Sequence, residues 1–175
     1  MTLDEMQEAM RRGEIGVRGK RSQFSTRLIH ENLSIVMSFA YSRKPLSHLM
    51  DAKFQGEWKY LNRALFEVSA ERVEKACLEL ALFLRILDDE HRISHYHTAT
   101  RNIPNCGRLI MKDGSETLLT FREVANKVIH SSKLGWEFEA FPEPTLICQS
   151  RDTEKWVRAE IDIVEIAAVC GRLMS

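Results

Sequence analysis

The chain has 175 residues, of which 44% are hydrophobic and 29% are charged, and its formal net charge is zero. These values predict one globular domain with a proper core, and they exclude a whole-molecule field that attracts nucleic acid or a membrane. No apolar run approaches the roughly 18 residues of a membrane span, and residues 1–10 lack the apolar core of a signal peptide. We therefore expect a cytoplasmic protein with no membrane partner.

The cysteines and histidines predict no metal site. The four cysteines form no CxxC pair and fit no metal spacing, so we expect no cofactor and expect each to pack as a small buried hydrophobe. They are Cys77, Cys106, Cys148 and Cys170. His91 and His95 stand four residues apart and could share a metal ion if one helix carried both. A polar, fraying helix end with incidental histidines is the interpretation we adopt.

Residues 1–27 are predicted to form a short helix and then a mobile basic arm, while residues 28–175 form a single globular α+β domain. Glycines alternate with the basic residues of the arm and favour mobility. The candidates for contact with a nucleic-acid backbone are Arg11, Arg12, Arg18, Lys20, Arg21 and Arg27. A solvated leader that docks loosely on an acidic surface has the same pattern, and this alternative stays open.

The first half of the domain has helical periodicity. Apolar residues at steps of three and four predict a helix from Ser25, which Pro45 should end. Another short helix should follow Gly56. The strongest pattern covers residues 69–91, with Ser69 as the N-cap. Because its apolar surface extends most of the way round, through residues such as Leu78 and Leu82, this helix should be packed on more than one flank.

After residue 106 the apolar period changes from about 3.6 to 2. Residues 108–118 predict a hairpin with Asp113 and Gly114 at its turn, and residues 119–131 predict a helix. The stretch "WEFEAF", starting at Trp136, alternates as a half-buried strand. Two more strands should flank a turn at Asp152, before a last helix over residues 161–173. The predicted fold class is α+β: a mainly α-helical bundle with a small antiparallel β-sheet in the C-terminal half.

The stretch "TFREVANKVIHSSK" holds the candidate site. On a helix, Arg122, Asn126 and His130 recur every four residues and share one longitudinal strip beside the apolar face. Glu123 and Lys127 are predicted to form an ion pair that faces water. The polar strip suits the edge of a cleft or a subunit contact, and it equally suits three residues that border the core.

The segment "NKVIH" on a helix resembles the motif of the HEPN (higher eukaryote and prokaryote nucleotide-binding) family of helical domains. In that family an Arg, commonly followed by Asn, stands four to six intervening residues ahead of a His. Asn126 and His130 match the Asn and His positions, whereas Arg122 lies one residue beyond the permitted range. The resemblance extends loosely to the helices at 26–42 and 69–91. The strands are not part of the common family pattern.

This resemblance implies either metal-independent cleavage of RNA or the binding of a nucleotide or RNA, in a bacterial defence or toxin–antitoxin type system. The ribose 2′-hydroxyl would attack the adjacent phosphate, with His130 as acid or base. Arg122 would stabilise the phosphorane charge only if a partner subunit brought its strip close. Asn126 would position His130 or the phosphate through a hydrogen bond. Family members usually pair their motif helices across a dimer, so a homodimer is implied.

The residues also allow a second hypothesis, a non-catalytic oligomeric module that binds a partner protein. His130 would then only place a positive charge near the last carbonyls of its helix. Trp58, Trp136 and Trp156 could stack on bases, but the alternating strands around the last two favour core or interface packing.

Overall fold

The computed structural model describes residues 20–53, 56, 60–140 and 142–174. The predicted first helix and the candidates Arg11, Arg12 and Arg18 lie outside the described residues, as does Trp58. Within this part of the chain, helices come first and strands dominate the second half, so the α+β prediction is confirmed. No helix of the described ranges has the length and apolar character needed to cross a membrane.

Helix α1 (Lys20–Lys53) is longer than predicted at both ends. Residues 20–27 are helical, so Lys20, Arg21 and Arg27 belong to α1 rather than to an arm. The prediction that Pro45 ends the helix was wrong. Proline removes one backbone hydrogen bond, but Pro45 is exposed, where water can satisfy the vacant acceptor. The buried stripe at Ile29, Val36 and Ala40 anchors the helix before this point.

Helix α2 (Val68–His91) is preceded without a break by an α-helical turn (Tyr60–Asn62) and a π-helical turn (Arg63–Glu67). Ser69 is therefore inside a helical segment and is not the predicted N-cap. Its hydroxyl donates back to the Phe66 carbonyl at 3.1 Å and to the Leu65 carbonyl. With helical turns already in place before it, the Ser69 hydroxyl bonds back to carbonyls of the preceding turn instead of capping a helix start.

Helix α2 packs against α1 on one flank and against α4 (Phe121–Ile129) on another, which confirms its predicted central position. Leu78 and Leu82 are 39% and 50% exposed, so one side of α2 remains open. Arg92, with a φ of 53°, ends α2 in the left-handed region. A short helix α3 (Ile93–Ala99) follows where fraying was predicted.

The sheet contains β1 (Gly107–Met111), β2 (Glu116–Leu118), β3 (Ser131–Glu137), β4 (Thr145–Ser150) and β5 (Trp156–Asp162). Its order is β2-β1-β5-β4-β3, and each pairing is antiparallel. The predicted hairpin is confirmed, with Gly114 in its turn at a φ of 82°. At Gly107, a Cβ would lie 2.0 Å from the Glu160 carbonyl oxygen, so only glycine permits this approach of β1 to β5.

Strand β3 begins one residue after α4, earlier than predicted, and Phe138 lies in the bend that follows the strand. Trp136 packs against Phe39 of α1 with a centroid separation of 5.5 Å, and it stacks on Phe138 at 6.1 Å. This cluster ties the sheet edge to α1, so base stacking by Trp136 would compete with an existing contact.

The core lies between the helices and one face of the sheet. Side chains from α1, α2, α4 and the sheet meet around a void of about 30 Å³, and they include Val36, Leu84, Val124, Leu146 and Ile161. The last helix, α5 (Ile163–Met174), adds Ile166 and Val169. The four cysteines are buried and free, which confirms their predicted packing role.

Candidate functional site

Helix α4 is held firmly at its first turn. Thr120 is the N-cap: its hydroxyl accepts from the Glu123 N–H at 3.4 Å, and the Glu123 carboxylate accepts from the Thr120 N–H at 2.9 Å. This capping box satisfies two backbone donors that a helix start otherwise leaves unpaired. Glu123 thus caps α4 and is not the predicted water-facing partner of Lys127. On the opposite face, Phe121 and Val124 are buried in the core.

Arg122 faces α2 and is engaged by two carboxylates. Its guanidinium donates hydrogen bonds to the carboxylates of Asp88, at 2.5 Å, and of Asp89, at 2.7 Å. The side chain of Asp88 is only 3% exposed. The hydrogen bonds that Arg122 donates to Asp88 and to Asp89 raise the pKa of Arg122, and the bond to Asp89 lowers the pKa of that carboxyl group. Asp88 also accepts the Ser94 backbone N–H at 2.7 Å. Arg122 is therefore an interhelical tether.

Asn126 makes the second polar contact between the same helices. Its side-chain oxygen accepts from the guanidinium of Arg85, which also lies 3.4 Å from the Asp89 carboxylate. Arg122 and Asn126 therefore belong to one network that joins α4 to α2. Sequence reasoning missed the partners of this network because they lie in a different helix.

His130 has different surroundings. It is the residue directly after α4, its backbone N–H donates to the Asn126 carbonyl at 3.0 Å, and its side chain is exposed. Along the axis it is roughly 12 Å from Arg122, at about 1.5 Å per residue. The structure thus engages Arg122 and Asn126 in the α2–α4 contact, whereas the side chain of His130, one helical turn beyond Asn126, is exposed.

Arg151 is a cation near His130 that sequence reasoning missed. Its Nε donates to the carbonyl of Ser131 at 2.8 Å, beside His130 in the chain. Ser131 pairs with Ser150 in the β3–β4 register, and this pairing brings the two segments together. No local pattern could have revealed it, because 20 residues separate Arg151 from Ser131.

Two lysines extend the positive charge around the end of α4. The ammonium group of Lys127 lies 4.7 Å from the ring centroid of Trp156, which is itself buried and thus a packing residue. Burial lowers the pKa of Lys127, and Lys155 acts in the same direction against the opposing effect of Glu123. We call Lys127, His130, Arg151 and Lys155 the basic edge.

His91 and His95, the pair that could have shared a metal ion, do not lie on one helix. His91 ends α2, and His95 lies in α3 beyond the left-handed break at Arg92. In the part of the chain that the structure describes, no three His, Cys, Asp or Glu side chains are grouped so that they could hold a metal ion.

The chain matches no family model, and comparisons with curated proteins and with solved structures find no match either. The basic edge is therefore the candidate functional site, and it combines an imidazole, a guanidinium and two ammonium groups. Such a set can bind a phosphodiester and exchange a proton with it without a metal ion.

Proposed function

We propose that the protein is a HEPN-like, RNA-binding domain that cleaves RNA without a metal ion, of the kind used in bacterial defence or toxin–antitoxin systems. The observation that carries the proposal is the exposed side chain of His130 at the end of a capped helix, with Arg151 bound to the next carbonyl. A rigid support matters because a proton-transfer group must be held in position against its substrate.

The proposed reaction uses the ribose as its own nucleophile. The 2′-oxygen forms a bond to phosphorus while the bond to the 5′-oxygen breaks, leaving a 2′,3′-cyclic phosphate and a 5′-hydroxyl. The proton of the 2′-hydroxyl goes to a base, and the departing 5′-oxygen receives one from an acid. His130 is suited to either role because an imidazole changes protonation near neutral pH.

Arg151 takes the role that the resemblance gave to Arg122, stabilisation of the negative charge on the phosphorane. Arg122 is engaged by Asp88 and Asp89, so its contribution is to hold α4 in place. Asn126 has the same supporting role through Arg85. Both are positioning residues under this proposal.

A homodimer completes the proposed site. One imidazole transfers one proton at a time, so the acid and the base require two groups. A second copy of the chain, related by a two-fold axis, would supply its own His130 opposite the first. Lys20, Arg21 and Arg27 on α1 are the described members of the proposed RNA-binding set, and Arg27 is already paired with Glu31 at 2.7 Å.

The test is incubation of the purified protein with an RNA and with a DNA of the same sequence, both in EDTA. We expect the RNA to be cut to fragments ending in a 2′,3′-cyclic phosphate and the DNA to stay intact, because only RNA carries the 2′-hydroxyl. Intact RNA, or equal cleavage of the DNA, would contradict the proposed chemistry. End-group analysis by mass spectrometry identifies the products.

A second candidate function is a non-catalytic, oligomeric protein-interaction module. The open side of α2 favours it, because Leu78 and Leu82 lie one helical turn apart and are exposed. This candidate predicts that Leu82→Glu disrupts the oligomer, measured by light scattering, whereas the same change at the exposed Ala70 leaves it intact. It also predicts that purified protein leaves RNA uncut.

A further inference from the structure

An open groove of about 470 Å³ lies between α1 and the π-helical turn that precedes α2. Its apolar wall is formed by Ile35 and Phe39 from α1 and by Leu65 and Phe66 from the π-helical turn. This volume is in the range of small-molecule sites, roughly 300–1,000 Å³, and is too small for a folded partner. The groove is made from residues outside the basic edge.

Among the described residues, two arginines line this groove without a carboxylate partner. The guanidinium carbon of Arg43 lies 3.7 Å from the ring centroid of Phe66, and Arg72 lines the groove from α2. Within the described ranges neither forms an ion pair, whereas Arg27, Arg63, Arg85, Arg108 and Arg122 each do. Unpaired cations beside apolar side chains attract an anion more strongly than cations in open water.

Hydroxyl groups add further polar atoms to the groove. Ser34, Ser38 and Ser42 recur every four residues on the side of α1 that lines it, and Ser69 faces them from α2. Ser42 and Ser69 donate to carbonyls of their own helices, at 3.3 Å and 3.1 Å respectively. By bonding to the Leu65 and Phe66 carbonyls, Ser69 supports the π-helical turn that holds Phe66 under Arg43. Single π turns of this kind frequently occur at functional sites.

We propose that this groove binds a small amphipathic organic anion. Its apolar body packs on Phe39, Leu65 and Phe66, and its carboxylate or phosphate lies between Arg43 and Arg72 with serine hydroxyls as further donors. An arginine fork binds either head group through paired hydrogen bonds. The inference is independent of the proposed RNA cleavage, because it uses none of the same side chains.

Isothermal titration calorimetry on the full chain tests the proposal with three probes: phenyl phosphate, phenylacetate and the neutral benzyl alcohol. We expect at least one anion to bind with a Kd of about 1 mM or tighter, and benzyl alcohol to bind at least about tenfold more weakly. The two anions separate a phosphate head group from a carboxylate. Absence of anion binding, or equal affinity for the neutral probe, would overturn the inference.

Substitutions locate the binding. Arg43→Met with Arg72→Met should weaken the bound anion at least about tenfold, because methionine keeps the apolar stem but removes the charge. Lys75→Met is the control on α2: Lys75 is exposed and paired with Glu79 outside the groove lining, so the affinity should stay unchanged. Circular dichroism shows whether the double variant folds. If it does not, Arg72→Met alone is the test, because Arg72 is exposed and its loss should leave the fold intact. An unchanged affinity in Arg72→Met would count against the site.

Discussion

Asp88 is the residue on which the contact between α2 and α4 depends. It is buried, and its carboxylate accepts from Arg122 and from the Ser94 backbone N–H. The same carboxylate therefore joins α2 to α4 and also accepts a backbone N–H from the first turn of α3. Burying a carboxylate costs free energy unless its oxygens accept hydrogen bonds, and the donors to Asp88 come from two separate elements, α4 and α3.

Asp88→Ala should lower the free energy of unfolding by about 2–3 kcal/mol, because Arg122 and the Ser94 N–H lose a buried acceptor. Urea unfolding followed by circular dichroism measures this change. Asp89→Ala is the matched control: its side chain is 53% exposed, so the loss should be clearly smaller. Equal losses in the two variants would show that burial does not govern this network.

At the scale of elements, the position of α4, a helix of nine residues, depends on the interactions at its ends and on its buried face. The capping box at Thr120 fixes where the helix begins, and the core face fixes its orientation. His130 is positioned by both, since it follows the last turn directly. The position of the candidate proton-transfer group is thus determined by interactions at the other end of the helix.

Thr120→Ala should cost about 1 kcal/mol of stability, because the Glu123 N–H loses its acceptor and the box is broken. Thermal unfolding measures the effect. Thr117→Ala, at an exposed position on β2, is the control and should change stability much less. A thermal midpoint shared by the Thr120 variant and the native chain would contradict the role of the cap.

Sequence periodicity identified most of the elements, but it missed α3 and it did not fix the ends of the helices. The hairpin turn at Gly114 and the core face of α4 follow from local patterns, and both were predicted. Pro45 and Ser69 were misread because each is a strong local signal for a helix end. Pro45 is exposed, where water can satisfy the vacant acceptor, and helical turns run without a break into α2 before Ser69. A local signal therefore does not set a helix end where the helical backbone continues across it.

The candidate site was harder to predict than the elements. The strip of Arg122, Asn126 and His130 could be identified, because its residues lie within one helical segment. The partners of Arg122 could not, because Asp88 lies 34 residues away on another helix. Arg151 was missed for the same reason: the register between β3 and β4, a tertiary property, brings it to Ser131.

At the scale of the whole molecule, helices and sheet enclose one core that contains all four cysteines. Burial raises the pKa of the Cys77, Cys106 and Cys170 thiols to about 12 and raises that of Cys148 further. Thiols in this environment stay protonated and unreactive at neutral pH. The cysteines therefore serve as packing residues in both halves of the fold.

Native protein at pH 8 should react with none of the four thiols when Ellman's reagent is added, because each is buried and protonated. Guanidinium chloride should release all four, as counted by the absorbance of the product. Rapid modification of one thiol before unfolding would show that part of the core opens to solvent.

Cys148→Ser should also lower the free energy of unfolding, because it places a hydroxyl in the buried core.

The proposed activity depends on His130 and its neighbour Arg151, and the rate of RNA cleavage in EDTA by matched variants tests it most directly. His130→Ala should reduce the rate constant by about 10² or more, and Arg151→Gln should reduce it as well, while both keep the native helix content. His95→Ala, an exposed histidine outside the basic edge, should cleave at the native rate. Cleavage by His130→Ala at the native rate would contradict the account.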